Sequence, residues 1–157
     1  MNSIFKKLNF KDQKVLHIVN APESFSQDSN EMLSLAAIKN SLTSAKEVSF
    51  FLAFVTKQKE VDDWSKKIAP LLTEDGLLWF AYPKGTSKKY KCEFNRDTGW
   101  AVLGKSGFEP VRMVAIDEDW SALRFRKPEN IKKMTRSFAM TAEGKKKVAA
   151  AKKAAKK

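Results

Sequence analysis

WSKKIAPLLTEDGLLWFAYPK, residues 64–84, decides the fold. Val61, Trp64, Ile68 and Leu72 recur at helical spacing, with Asp62, Asp63, Lys66 and Lys67 between them. That spacing predicts a helix burying one face. Pro70 should end or kink it, because the ring removes a donor and crowds the preceding turn. Thr73 to Gly76 then predicts a turn, and Leu77 to Tyr82 a strand apolar on both faces. A strand of that kind belongs inside a sheet covered by helices on both sides.

The same reading extends outward in both directions. Upstream, Val48 to Val55 (VSFFLAFV) predicts a central strand, and Lys14 to Val19 (KVLHIV) an earlier one that ends at Asn20-Ala21-Pro22. The residue before a proline is driven towards extended or turn geometry, so the strand stops there. Between them, residues 28–45 predict a helix, with Asp28 or Ser29 as its cap and Met32, Leu35 and Ile38 facing inward. A short strand within that stretch is the alternative. Downstream, a helix is expected over Arg96–Lys105, capped by Asn95 and ended by Gly107. Val111 to Ile116 predicts a strand, Asp117 to Asp119 a turn, and Ser121 to Arg126 a returning strand. Leu123 and Phe125 alternate with Arg124 and Arg126, the pattern of a half-exposed edge. Strands alternating with helices predict a three-layer, Rossmann-like α/β fold with a mostly parallel sheet. The closing hairpin adds one antiparallel strand.

The chain has 157 residues and a net charge of +12. The charge is unevenly placed: residues 127–157 hold ten lysines and one arginine against two glutamates, a net +9 that leaves only +3 for residues 1–126. The expected organisation is therefore an α/β domain over 1–126 and a basic Lys/Ala-rich extension over 127–157. Seven lysines between Lys145 and Lys157 repel one another, so that segment should gain order only on a polyanion. Weak, salt-sensitive and sequence-independent nucleic-acid binding through it is one expectation, a solubilising tail the other. If the first holds, deleting residues 144–157 abolishes retention on DNA. The longest apolar run is too short to span a bilayer, and the first residues lack the apolar core of a secretion signal. A cytoplasmic protein with no membrane partner is expected. The single cysteine, Cys92, excludes an intrachain disulfide and a cysteine metal cluster.

Residues 48–126, above all 64–84 and SGFEPVRMVAIDEDWSALRFR (106–126), resemble the second half of S-adenosylmethionine-dependent methyltransferase domains. Three short motifs resemble a small bacterial family of Rossmann-like domains without an established activity. They are Asn20-Ala21-Pro22, Trp79-Phe80-Ala81-Tyr82-Pro83-Lys84 and Ile116-Asp117-Glu118-Asp119-Trp120-Ser121. The methyltransferase resemblance implies a cofactor turn after the first strand and an acidic residue after the second. Here the turn reads Asn20-Ala21-Pro22-Glu23-Ser24-Phe25, without glycine, and no second strand ends in Asp or Glu.

In such sheets ligands bind beyond the carboxyl ends of the strands. Asn20, Pro22, Lys84, Ser87, Asp117, Trp120 and Ser121 all fall there and are the candidate binding residues. Lys84 would pair with charge, Ser87 and Asn20 would hydrogen-bond, and Asp117 would orient a neighbour or a ligand hydroxyl. Trp120 could stack on a flat ligand, although packing over the sheet end suits it better. Pro83 to Ser87 could hold an anion but lacks Walker spacing. His17, inside an apolar strand, reads as a core histidine, and Cys92 as incidental. No catalytic residue, metal ligand or cofactor is assigned, and the oligomeric state is left open. The expectation is a degenerate methyltransferase-like domain holding a small anionic or nucleotide-like ligand; an active methyltransferase is the alternative.

Overall fold

A computed structural model of the chain describes residues 2–94 and 98–128. Six strands form one sheet in the order β2-β1-β3-β4-β6-β5. They are β1 (Val15–Val19), β2 (Ala37–Lys39), β3 (Val48–Phe54), β4 (Leu72–Pro83), β5 (Glu109–Ala115) and β6 (Trp120–Arg126). β1, β2, β3 and β4 pair in parallel, and β6 runs antiparallel to both β4 and β5. The mostly parallel sheet with one antiparallel strand from a closing hairpin is thus observed.

Helices cover both faces. On one side α1 (Ser3–Lys7) and α2 (Ser26–Glu31), with a 3-10 turn at Glu23–Phe25, bring Phe5, Leu8, Phe25 and Met32 onto Leu16, Phe50, Leu52 and Trp79. On the other, α3 (Gln58–Ile68) and α4 (Ala101–Lys105) bring Val61, Ile68 and Leu103 onto Phe51, Leu78, Phe80 and Phe125. β3 and the second half of β4 are buried on both faces, as continuous apolar runs must be. Asn2 starts α1 by accepting from the amides of Ile4 (2.9 Å) and Phe5 (3.2 Å). α4 ends in a left-handed Gly107 (φ 92°), with the Phe108 amide on the Leu103 carbonyl and the Gly107 amide on that of Gly104. This is the six-to-one closure that glycine permits at a helix end.

Five expectations are corrected. The helix expected over 28–45 is only α2, and Leu35 is exposed rather than inward. The Ala37 amide binds the Lys14 carbonyl, and the edge of β1 captures the next residues as β2. Leu72 belongs to β4 and not to the helix before it. Residues 73–76 do not end the ladder as a turn: Val48 faces Leu72 and Phe50 faces Leu77, so they bulge out of a strand that continues through them. The helix expected over 96–105 is confined to 101–105 within the described residues, and its expected cap Asn95 lies outside them.

The fifth correction concerns β6. It lies between β4 and β5, buried along nearly its whole length, and β5 is the edge. Arg124 reaches only 8% exposure because Asp75, on the bulge of β4, comes within 3.8 Å of its guanidinium. The same carboxylate accepts two hydrogen bonds from Arg126, at 2.8 and 2.7 Å. The alternating charge therefore marks side chains buried beside a carboxylate, not an exposed face. Among the described residues no helix is long and apolar enough to cross a membrane.

Candidate functional site

After β1 the chain pairs β2 on one side and then crosses to β3 on the other, so the strand order reverses between β1 and β3. A crevice at the strand ends is expected at that point. Asn20 enters it with φ 57°, a left-handed backbone that asparagine tolerates better than most side chains. Its side chain donates to Glu60 of α3 at 3.4 Å. Pro22 then starts the 3-10 turn, its carbonyl accepting from the Phe25 amide.

Carboxylates of the chain itself occupy the start of α3. Glu60 accepts from the amides of Thr56 (3.0 Å) and Lys57 (3.1 Å) and from the Thr56 hydroxyl (3.3 Å). Glu93 accepts from the Gln58 amide at 2.9 Å. The positive end of a helix attracts anions, and here two carboxylates already answer it. The crevice therefore suits hydroxyl and amide groups better than a second anion.

Basic residues gather one strand further on. Beyond the end of β4, the loop 84–94 and the start of β6 enclose a cleft of about 810 Å³. Its walls include Tyr82, Lys84, Ser87, Tyr90, Lys91 and Phe94. Gly85, Cys92, Glu93, Met113 and Ser121 complete much of the rest. A size of this order, with aromatic walls and a few polar groups, is typical of a small-molecule site. The Lys84 amide is fixed by the Asp119 carbonyl at 2.8 Å, while among the described residues no ion pair engages its ammonium. The Tyr82 hydroxyl donates to the Met113 sulfur at 3.1 Å. The loop is pinned down by the Glu93 amide on the Thr56 carbonyl (3.0 Å) and by the Gln58 side-chain amide on the Gly99 carbonyl (2.8 Å).

The structure brings Lys84, Ser87 and Ser121 together on this cleft. Asn20 and Pro22 stand apart at the β1 crevice. Asp117 works within the hairpin, accepting from the amides of Asp119 (2.8 Å) and Trp120 (2.9 Å). That is the turn chemistry that favours aspartate in such loops. Ser87 is a brace as well as a wall: its hydroxyl donates to Asp119 at 2.8 Å and accepts from the amides of Lys89 and Tyr90. Trp120 is buried at 3% exposure, edge-on to Phe54 at 5.1 Å, with Tyr90 tilted against it at 4.9 Å. It packs over the sheet end and supports Tyr90, which lines the cleft.

Tyr90, Lys91, Phe94, Glu60 and Glu93 are absent from the sequence-derived candidates. One signal could have found the first three: KYKCEF (89–94) puts two aromatics into an otherwise polar, basic loop, where turn chemistry alone gives them no purpose.

Burial pushes the Cys92 thiol up, helped by Glu93 and Glu60, although a hydrogen bond to the Phe94 backbone works the other way. The thiol stays protonated at neutral pH and is a poor nucleophile. His17 lies buried in β1, opposite Lys39 and Phe51, away from both the crevice and the cleft. Desolvation, then the Lys39 charge, lower its pKa, and its Nδ1 has no partner among the described residues. It is a core histidine, as expected, but not a fully satisfied one.

No model of a known protein family matches the chain, and no curated protein matches its sequence. Solved structures of similar shape include a ribosomal protein L11 methylase from Lactobacillus delbrueckii subsp. bulgaricus, 13% identical, with a TM-score of 0.48, covering 79% of this chain and 77% of that one. The N-methyltransferase NodS from Bradyrhizobium japonicum is 17% identical, with a TM-score of 0.43, covering 73% of each chain.

Proposed function

We propose that residues 1–126 form a binding domain that holds a small anionic, nucleotide-like ligand in the cleft beyond β4, without catalysing a reaction on it. The observation that carries this reading is the composition of the cleft. Two lysines, Lys84 and Lys91, stand among the aromatic walls Tyr82, Tyr90 and Phe94. Aromatic faces accept a flat ring and lysines accept a phosphate, while Glu93, which also borders the cleft, has its carboxylate on the Gln58 amide. Polar backbone groups at Gly85 and hydroxyls at Ser121 and Tyr82 complement such a ligand. Cys92, held as a thiol, offers no activated nucleophile. The extension 127–157 is a separate basic segment in this reading.

Adenosine monophosphate is a suitable probe because it carries both features. Binding followed by calorimetry should weaken about tenfold or more in Lys84→Ala, the usual cost of removing a charged hydrogen-bonding partner. Unchanged affinity would remove Lys84 from the site and the reading with it. One observation favours a second reading. Asn20 adopts the left-handed turn that glycine supplies in cofactor loops, so the β1 crevice keeps that backbone geometry without glycine. S-adenosylmethionine binding that is insensitive to Lys84→Ala would favour this active-methyltransferase alternative.

A further inference from the structure

We propose that Arg112, Arg124 and Arg126 form a second anion site, for a phosphate group, at the end of the sheet opposite the cleft. Arg112 and Arg124 face each other directly across β5 and β6. The pairing slips by one residue between Pro110 and Arg112, and without that irregularity Val111 would stand opposite Arg124. Bulges of this kind re-aim side chains and are common beside functional sites. Like charges directly opposite each other in an antiparallel pair are destabilising. The bulge therefore creates a repulsion that an ordinary valine would have avoided, and an anion between the two guanidiniums would remove it.

The local charge balance points the same way. Arg126 lies two residues along on β6, on the same face as Arg124. Asp75 reaches both Arg124 and Arg126, and its two oxygens are already taken by Arg126 at 2.8 and 2.7 Å. Its approach to Arg124 is a loose 3.8 Å. Glu109, fully buried and with a partner of its own, faces Arg126 in register, two pairs beyond Arg112 and Arg124. Arg124 is over nine-tenths buried, and its Nε has no hydrogen-bond partner among the described residues. A buried, partly unpaired guanidinium is costly unless something completes it. Desolvation, Arg126 and Arg112 all weaken its hold on its proton, with Asp75 opposing them. Arg112 is exposed, so an ion can reach the pair from solvent at that side chain. The planar fork of arginine matches phosphate oxygens in pairs, which lysine cannot do.

Inorganic phosphate is the probe, added to the full chain in low-salt chloride buffer while the melting temperature is followed. Phosphate should raise the melting temperature of the wild type, and Arg112→Gln should lose at least half of that gain. Without phosphate, Arg112→Gln should melt at or above the wild-type temperature, because it removes the repulsion. Lys84→Ala should keep the Arg112-dependent part, which separates this site from the cleft. A full phosphate gain in Arg112→Gln, no gain in the wild type, or a lower melting temperature of Arg112→Gln in chloride would each overturn the proposal. An equal gain from acetate at matched ionic strength would overturn the choice of phosphate. For Arg124, the Nε–H resonance should shift on phosphate addition in the wild type and stay in place in Arg112→Gln; a wild-type resonance that does not move overturns the site.

Discussion

Phe80→Ala is expected to destabilise the domain by about 4 kcal/mol, enough to lower its melting temperature by roughly 10–20 °C. Phe80 is fully buried at the centre of β4 and sits at the junction of three aromatic contacts. Its ring lies 6.1 Å from Phe51, 6.0 Å from Trp100 and 6.0 Å from Phe125, joining β3, the segment before α4, and β6. Truncation removes apolar burial and leaves a cavity that surrounding rings cannot close without leaving their own positions. Leu35→Ala is the matched control, since Leu35 is 51% exposed; it should change stability by no more than about 0.5 kcal/mol. Chemical denaturation of both variants checks the contrast. Equal, small losses would mean that the aromatic layer under α3 and α4 is not the core described above.

Gly99→Ala should cost about 3 kcal/mol and should also damage the cleft. Gly99 has φ 90°, a conformation that side chains rarely adopt. An added Cβ would lie 2.6 Å from the Cβ of Phe94 and 2.9 Å from the side-chain oxygen of Gln58. The first is a fixed atom at the root of a buried side chain, so either Phe94 or the segment carrying Gly99 must move. Phe94 forms a wall of the cleft, and Gln58 holds the Gly99 carbonyl. Loss of stability and loss of adenosine monophosphate binding should therefore appear together. A variant of wild-type stability would show that the glycine is not held in this turn.

Much of the sheet was readable because its central strands are buried on both faces. VSFFLAFV and LLWFAY need no partner information to be recognised, and α3 announces itself by period. The misreadings share one cause: the deciding interaction lies far away in sequence. β2, the short strand left as the alternative within 28–45, has three residues and exists because β1 offers it an edge. Residues 73–76 look like a turn but form a bulge within a continuing strand, because β3 pairs on either side of them. Arg124 looks like an outward-facing residue until Asp75, 49 positions earlier, is seen to accompany it inward. The site divides in the same way. Lys84, Ser87 and Ser121, placed at strand ends by sequence, come together on one cleft, whereas Asp117 and Trp120 lie at the same end and serve the hairpin. Glu60 could not be anticipated, because its importance comes from folding back onto the start of its own helix and across to Asn20.

The proposed ligand site lies beyond β4 and not at the crevice beside β1. An amide-resolved NMR titration of the full chain with adenosine monophosphate tests it most directly. Saturable shifts are expected at Gly85, Ser87, Tyr90, Lys91 and Glu93, with Asn20 and Ala21 unmoved. Shifts confined to Asn20, Ala21 and Thr56, or no saturable shift at any of these residues, would contradict it.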